Sequence, residues 1–387
     1  MEALPTVRLK RLRNSRHPWI YRKMCVPAEH APGTLVEVID RDGAFVGRGI
    51  YNRNSQIAIR LLTEDPSQPL DDAFLGELLD RAIRFRKETL GLEGVTDAYR
   101  VVHAESDGLP GLVVDRYGSF VVAQLYSAGW FRKLRWLLPA LSGRFGGARA
   151  LVRGEPKAER HEGFKVRDFE AGKGGPLRTI ITEHGIRYHV DLRAGHKTGF
   201  FCDQRDHRLR VQRLAAGKRV LDVCSYTGGF ALNAARGGAA SVTAVDLDEK
   251  AVSLARENAV LNAAAIDFHH ADGFDFLRAA PAASLDLVIL DPPKFAAGRA
   301  EIAGALERYR DLNALAARAV AGGGMLITCS CSGPVSEERF HEAVLHGSKR
   351  AGVGLTLIEA GGAAPDHPVR PEFPEGRYLK VLTFRRG

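Results

Sequence analysis

The residues of this 387-residue chain that could do chemistry lie in two short runs. One is Ile-Leu-Asp-Pro-Pro-Lys-Phe at 289–295, the other Leu-Ile-Thr-Cys-Ser-Cys-Ser-Gly at 326–333. In the first, an apolar stretch ends in Asp291 and two rigid turns. Proline fixes φ and removes backbone donors, so two in succession let peptide carbonyls face a ligand instead of a ladder. A tight structural turn uses the same residues. In the second, the apolar stretch ends at thiols. A thiol near Lys294 and Asp291 suits a nucleophile, because neighbouring positive charge favours thiolate; an inert buried cysteine is the other reading. Cys329 and Cys331 are expected on opposite faces of their strand, unable to share a site or to bridge.

A third run supplies a binding loop. Val-Leu-Asp-Val at 220–223 leads into Cys-Ser-Tyr-Thr-Gly-Gly-Phe at 224–230, where glycines let the backbone approach a ligand. The G-x-G-x-x-G spacing of a pyrophosphate site is missing. Asp246, eighteen residues after Gly228, can accept both hydroxyls of a ribose, and Asp272 can receive an adenine amino group. Each acid alone is a common helix cap. Three in register at successive strand ends point to a nucleoside without a pyrophosphate. Together Asp222, Gly228, Asp246, Asp272 and the Asp-Pro-Pro of 291–293 resemble the Rossmann-like S-adenosylmethionine-dependent methyltransferases. The resemblance implies that cofactor, with Asp222, Ser225, Tyr226, Thr227, Gly228, Asp246, Asp272, Asp291 and Pro292 as its contacts.

Two acceptor chemistries remain open on these residues. In that class, Asp-Pro-Pro followed by an aromatic residue goes with methylation of an exocyclic amine, but here Lys294 follows. Carbon methylation uses a thiol: attack at ring carbon 6 of cytosine turns the poorly nucleophilic carbon 5 into an enamine. Asp291 would then hydrogen-bond the protonated ring nitrogen 3 and steady the charge that builds up, while Lys294 would lower the thiol pKa or hold a phosphate.

These residues need a parallel sheet to position them, and the pattern supplies one. Strands at Arg219–Val223, Ser241–Val245, Leu285–Leu290 and Met325–Thr328 alternate with helices at Gly229–Arg236, Glu249–Asn262 and Glu301–Val320. That is the signature of βαβ units open at the strands' carboxyl ends. Upstream, strands at 34–39, 44–51 and 57–62, the first pair joined by Asp-Arg-Asp-Gly, predict a small β-rich unit. A polar linker over 64–69 ends it, and a helix follows over about 71–90. Short strands at 112–114, 120–125, 150–153 and 165–168 around a helix near 131–141 predict an α+β middle domain. The expected domains are therefore 1–68, 69–186 and 187–387.

The formal charge of +9 suits a polyanionic partner. Seven basic residues lie between Arg8 and Lys23, with His17, Trp19 and Tyr21 among the last of them. Cations beside aromatic faces match phosphate and base of a nucleic acid; a solvated arm is the plainer reading. Five scattered cysteines without CxxC spacing speak against a disulfide framework and a structural zinc site. No apolar run reaches membrane length and none reads as a signal peptide, so a cytoplasmic location is expected, without metal or membrane partner.

Beyond these segments, the chain resembles bacterial 23S ribosomal RNA cytosine-5 methyltransferases with an N-terminal PUA domain. The likeness runs through Ala-Glu-Ser-Asp-Gly-Leu-Pro-Gly-Leu at 104–112 and Lys-Thr-Gly-Phe-Phe-Cys-Asp-Gln-Arg-Asp at 197–206. It continues in Asp-His-Pro at 366–368 and Pro-Glu-Gly-Arg-Tyr-Leu-Lys at 374–380. It implies an α/β fold: an N-terminal PUA domain, a small α+β middle domain and a C-terminal Rossmann-like methyltransferase domain. It implies Cys331 as nucleophile with Asp291 and Lys294 beside it, and ribosomal RNA as partner. Arg11, Arg13, Arg16, Trp19, Arg22, Lys23, Lys197 and Arg205 are the expected RNA contacts, with His367 and Lys380 structural or RNA-facing. The family has an apolar or aromatic residue where this chain has Cys329. Alternative readings are methylation of a guanine or adenine nitrogen, and a non-catalytic RNA-binding assembly factor. Oligomeric state stays open, a homodimer included.

Overall fold

The computed structural model describes residues 3–167, 175–193 and 199–387. The chain forms two compact units. One comprises Met1–Thr182, Val190–Cys202 and Pro365–Gly376, the other Glu183–His189, Asp203–Ala364 and Arg377–Gly387. The domain boundary expected at 68 lies inside the first unit.

The first unit opens with strands β1 (Thr6–Arg8), β2 (Trp19–Tyr21), β3 (Thr34–Ile39), β4 (Phe45–Tyr51) and β5 (Ile57–Thr63), in the order β1-β3-β4-β5-β2. Asp-Arg-Asp-Gly makes the β3–β4 turn as expected: Asp40 Oδ1 accepts the amides of Asp42 and Ala44, and Gly43 takes φ +90°, which suits a residue without Cβ. Val7, Ile20, Val36, Val38 and Ile59 are buried between the strands. Helix α1 (Asp72–Arg84) starts where Asp71 caps the Phe74 amide and buries Phe74, Leu75, Leu78, Leu79 and Ala82 at helical spacing. A wider turn over Phe85–Thr89 then carries Arg86 into the core, where it forks onto Asp107 at 2.7 and 2.8 Å.

Strands β6 (Ala98–His103), β7 (Leu112–Tyr117), β8 (Phe120–Leu125) and β9 (Arg149–Gly154) form a second sheet in sequence order. The helix expected over 131–141 is two, α2 (Ala128–Arg132) and α3 (Leu134–Arg144), because Lys133 leaves helical geometry between them. Helix α4 (Pro156–Glu162) follows. No strand forms over 165–167; Asp168, the end of that expected strand, lies outside the described residues. A two-stranded ribbon, β10 (Arg178–Glu183) and β11 (Ile186–Asp191), has its residues divided between the units.

The second unit is built on α5 (Arg205–Leu214), β12 (Arg219–Val223), α6 (Gly229–Arg236), β13 (Ser241–Asp246), α7 (Glu249–Leu261), β14 (Asp267–His270), α8 (Gly273–Ala279) and β15 (Leu285–Leu290). It continues with α9 (Ile302–Ala319), β16 (Val320–Ser330), α10 (Glu337–Arg350), β17 (Leu355–Gly361) and β18 (Lys380–Arg386). The strand order is β14-β13-β12-β15-β16-β18-β17. Pairs from β14 through β16 are parallel, while β18 runs antiparallel to both neighbours. After β12 the chain first builds outward through β13 and β14, then returns to the other side with β15. The switch point therefore falls between β12 and β15, where open α/β sheets bind ligands. Val220, Leu221, Val223 and Leu287–Leu290 are buried, as strands covered by helices on both faces must be.

Candidate active site

Asp222, the last residue but one of β12, has no exposed surface. Its Oδ2 accepts the Ala231 amide at 3.0 Å, while its Oδ1 and the nearby Ser225 Oγ are buried without a partner among the described residues. Burial pushes the Asp222 carboxyl up to about 8, and the negative charges of Asp291 and Asp246 add to the effect. The loop that follows is strained: Cys224 and Tyr226 hold φ +61° and +51°, and Gly228 +82°. Non-glycine residues hold this conformation at a cost, and such strain collects at ligand sites. Asp246 fixes the loop by accepting the Tyr226 amide at 2.7 Å on Oδ2 and that of Asp248 at 2.8 Å on Oδ1. Each of its oxygens keeps a lone pair. Asp272 caps α8, its Oδ1 accepting from Phe274 and Asp275, so Oδ2 is the oxygen left for a ligand. Thr227 and Pro292 are buried alongside.

Asp291 leaves β15 beside β12: its amide donates to Val223 O at 3.2 Å, and its Oδ2 accepts from Gln204 Nε2 at 3.1 Å. Lys294 is exposed. Cys331 is half-buried, one residue beyond the end of β16. The serines on either side of it are fully buried and joined by one phenol: Tyr309 Oη lies 2.9 Å from Ser330 Oγ and 2.9 Å from Ser332 Oγ. Ser332 Oγ also accepts the amides of Phe295 and Ala296, both at 3.1 Å. The thiol loop and the Asp-Pro-Pro-Lys loop are thus fastened together by side chains, and Phe295 packs on Tyr309 with ring centroids 4.8 Å apart.

The expectation that Cys329 and Cys331 face opposite sides needs correcting, since positions two apart on a strand share a face. What separates them is the end of the strand. Cys329 pairs with Val381 inside the sheet and is wholly buried; burial, then the charge of Asp291, hold its thiol well above the ordinary range. Cys331 has left the ladder.

A family profile described as S-adenosylmethionine-dependent methyltransferase matches residues 155–385, and one described as a PUA-like domain matches 8–64. The chain is an S-adenosylmethionine-dependent methyltransferase. Among relatives, the ribosomal RNA large subunit methyltransferase I of Escherichia coli O139:H28 (strain E24377A) is 37% identical over 96% of this chain and 95% of its own length. That of Klebsiella pneumoniae (strain 342) is 37% identical over 96% and 94%. A Streptococcus mutans structure described as an S-adenosylmethionine-dependent methyltransferase superposes with a TM-score of 0.81 at 21% identity, over 99% of this chain and 100% of that one, which speaks to the fold.

The donor set of this methyltransferase fits its cofactor. S-adenosylmethionine brings a sulfonium and an ammonium, and Asp222, Asp246 and Asp291 are close enough for their charges to act on one another. A cationic ligand relieves that repulsion, and the unpartnered Asp222 Oδ1 and Ser225 Oγ have hydrogen bonds to give and take.

The expected RNA contacts divide. Arg11, Arg16, Arg22 and Lys23 are exposed in the PUA-like part. Arg13 is not an open contact: its side chain is 7% exposed and bonds Glu64 at 2.7 Å and the His17 carbonyl at 2.5 Å. Trp19 is no open stacking platform either, since its Nε1 donates to Glu105 at 2.7 Å and its ring meets Phe373 edge-on at 5.0 Å. Arg205 is a further correction. It is buried with Arg208 against Glu183, so it holds α5 in place and meets no solvent. Lys197 lies outside the described residues. His367 is buried on Asp366, whose Oδ2 accepts the Arg100 amide. The sequence assigns no such roles to Tyr309 and Ser332; the Ser-Cys-Ser pattern is the one available signal.

Proposed function

We propose that this methyltransferase modifies carbon 5 of a cytosine in 23S ribosomal RNA through a covalent adduct to Cys331. The observation that carries the reading is the Ser332 hydroxyl, which joins the loop of Asp291 to the loop of Cys331. It gives a half-buried thiol and a carboxylate a fixed relationship next to the carboxyl ends of β12 and β15. An amine acceptor needs no such thiol. The 37% identical relatives are ribosomal RNA large subunit methyltransferases, which supports ribosomal RNA as substrate, and the PUA-like match with its exposed basic residues agrees with them.

Cys331, as thiolate, attacks cytosine carbon 6; the carbon–sulfur bond forms and ring electrons shift to carbon 5. Asp291 accepts a hydrogen bond from the protonated ring nitrogen 3, and that proton neutralises the charge displaced there. S-adenosylmethionine, when bound, would supply the methyl group that the carbon 5 electrons take up, its methyl–sulfonium bond breaking to leave a neutral thioether. A base then takes the carbon 5 proton, the electrons of that bond restore the ring, and the bond to sulfur breaks to release Cys331. The target base must leave its stack for both faces to be reached. Cys329 cannot replace Cys331 because burial keeps it neutral. Mass spectrometry of nucleosides from treated 23S RNA tests the reading. 5-Methylcytosine supports it, and an N-methylated purine as the product sinks it.

A further inference from the structure

We propose that Lys380 is a positioning residue that holds a positive charge behind the Cys331 loop and keeps that thiol ready to ionise. The inference rests on the reading of Cys331 as nucleophile.

Lys380 begins β18 and pairs with Ser330, the residue before Cys331. Only 2% of it is exposed. Its Nζ donates to three carbonyls: Ser332 at 2.7 Å, Val335 at 2.9 Å and Tyr378 at 2.9 Å. An ammonium has three hydrogens and no acceptor, so the arrangement satisfies the charged form completely. A neutral amine would aim its lone pair at a carbonyl oxygen. The same bonds pin the chain on the far side of Cys331, as Tyr309 pins the serines flanking it.

The charge is felt by the thiol. Burial brings the Lys380 ammonium down to about 8, while Cys331 and Glu337 hold it up and Lys294 opposes them. The interaction is mutual: a thiolate that favours the ammonium is favoured by it to the same extent. Among the described residues, other titratable groups that act in this region include Asp291 from the loop after β15, Tyr309 from α9 and Cys329 from β16. The negative charge of Asp291 works against a thiolate, Lys294 is exposed, and Lys380 is a buried cation fixed to the thiol's own loop.

The test follows the rate of iodoacetamide alkylation at Cys331 against pH in the full-length protein, with the modified peptide identified by mass spectrometry. Lys380→Met is expected to raise the midpoint by about one pH unit, so alkylation at pH 7.5 slows by about tenfold. Lys380→Arg keeps a permanent charge and is expected to leave the midpoint at or below that of the wild type. An unchanged midpoint in folded Lys380→Met overturns the proposal; should that variant not fold, a raised midpoint in Lys380→Arg overturns it. The readout is thiol chemistry, so it stands apart from methyl transfer. Retention of methylation by Cys331→Ala would refute the nucleophile itself.

Discussion

The Ser332 hydroxyl oxygen accepts the Phe295 amide at 3.1 Å, tying the loop after β16 to the loop after β15 by a side chain. The serines of Ser-Cys-Ser are therefore docking residues, and the thiol between them is the group of the motif that carries the proposed chemistry.

Ser332→Ala should uncouple the two loops. Two amides and the Tyr309 hydroxyl lose their shared buried partner, at a cost of about 1–3 kcal/mol. Methyl transfer should slow by roughly tenfold or more, because misplacement of reacting groups is costly, with cofactor affinity nearly unchanged. Calorimetric binding together with single-turnover kinetics separates the two effects.

Asp222→Asn should act on both cofactor affinity and pH stability. The folded-state carboxyl lies near 8 rather than at the usual 3.8. An acid raised on folding contributes stability that is complete below the lower value and is lost as pH rises through the upper one. The cofactor-free protein should therefore weaken from pH 4 to 8, and Asn should flatten that slope in thermal unfolding. Losing a charge-assisted bond should also weaken cofactor binding by about tenfold to a hundredfold.

Substitution of Arg11, Arg16, Arg22 or Lys23 by Ala should each lower RNA affinity and reduce the salt slope by about one for every phosphate no longer neutralised. Trp19→Phe should instead lower the melting temperature, through loss of the bond to Glu105, and leave the slope alone. Filter binding across a salt series distinguishes these.

Glu183→Gln should destabilise the second unit by about 3–5 kcal/mol, since it takes a buried carboxylate away from the buried Arg205 and Arg208. Denaturant titration reads this directly, and an Arg205 variant that stays folded should bind RNA as the wild type does.

The parallel half of the large sheet is legible in the sequence because Val220–Val223 and Leu285–Leu290 are short, largely apolar runs with an acid, Asp222 or Asp291, at or just beyond the end, at the spacing of βαβ units. Strand β18 is not, since its residue Leu382 stands opposite Thr328 by long-range pairing that leaves no local mark. Trp19 and Arg205 mislead for the same reason. The place of each is set by a distant acid, Glu105 for one and Glu183 for the other. Asp222 and Asp291 are legible as acids at strand ends, whereas Tyr309 looks like any residue on the buried face of a helix. Lys380 reads from sequence as structural or RNA-facing, and its burial under three carbonyls needs the fold to be seen.

The most direct measurement is 5-methylcytosine formed in 23S RNA by wild type and by Cys331→Ala, with S-adenosylmethionine saturating. Wild type should make it and Cys331→Ala should make none, while Cys329→Ala retains activity. Formation of 5-methylcytosine by Cys331→Ala at the wild-type rate would contradict the account.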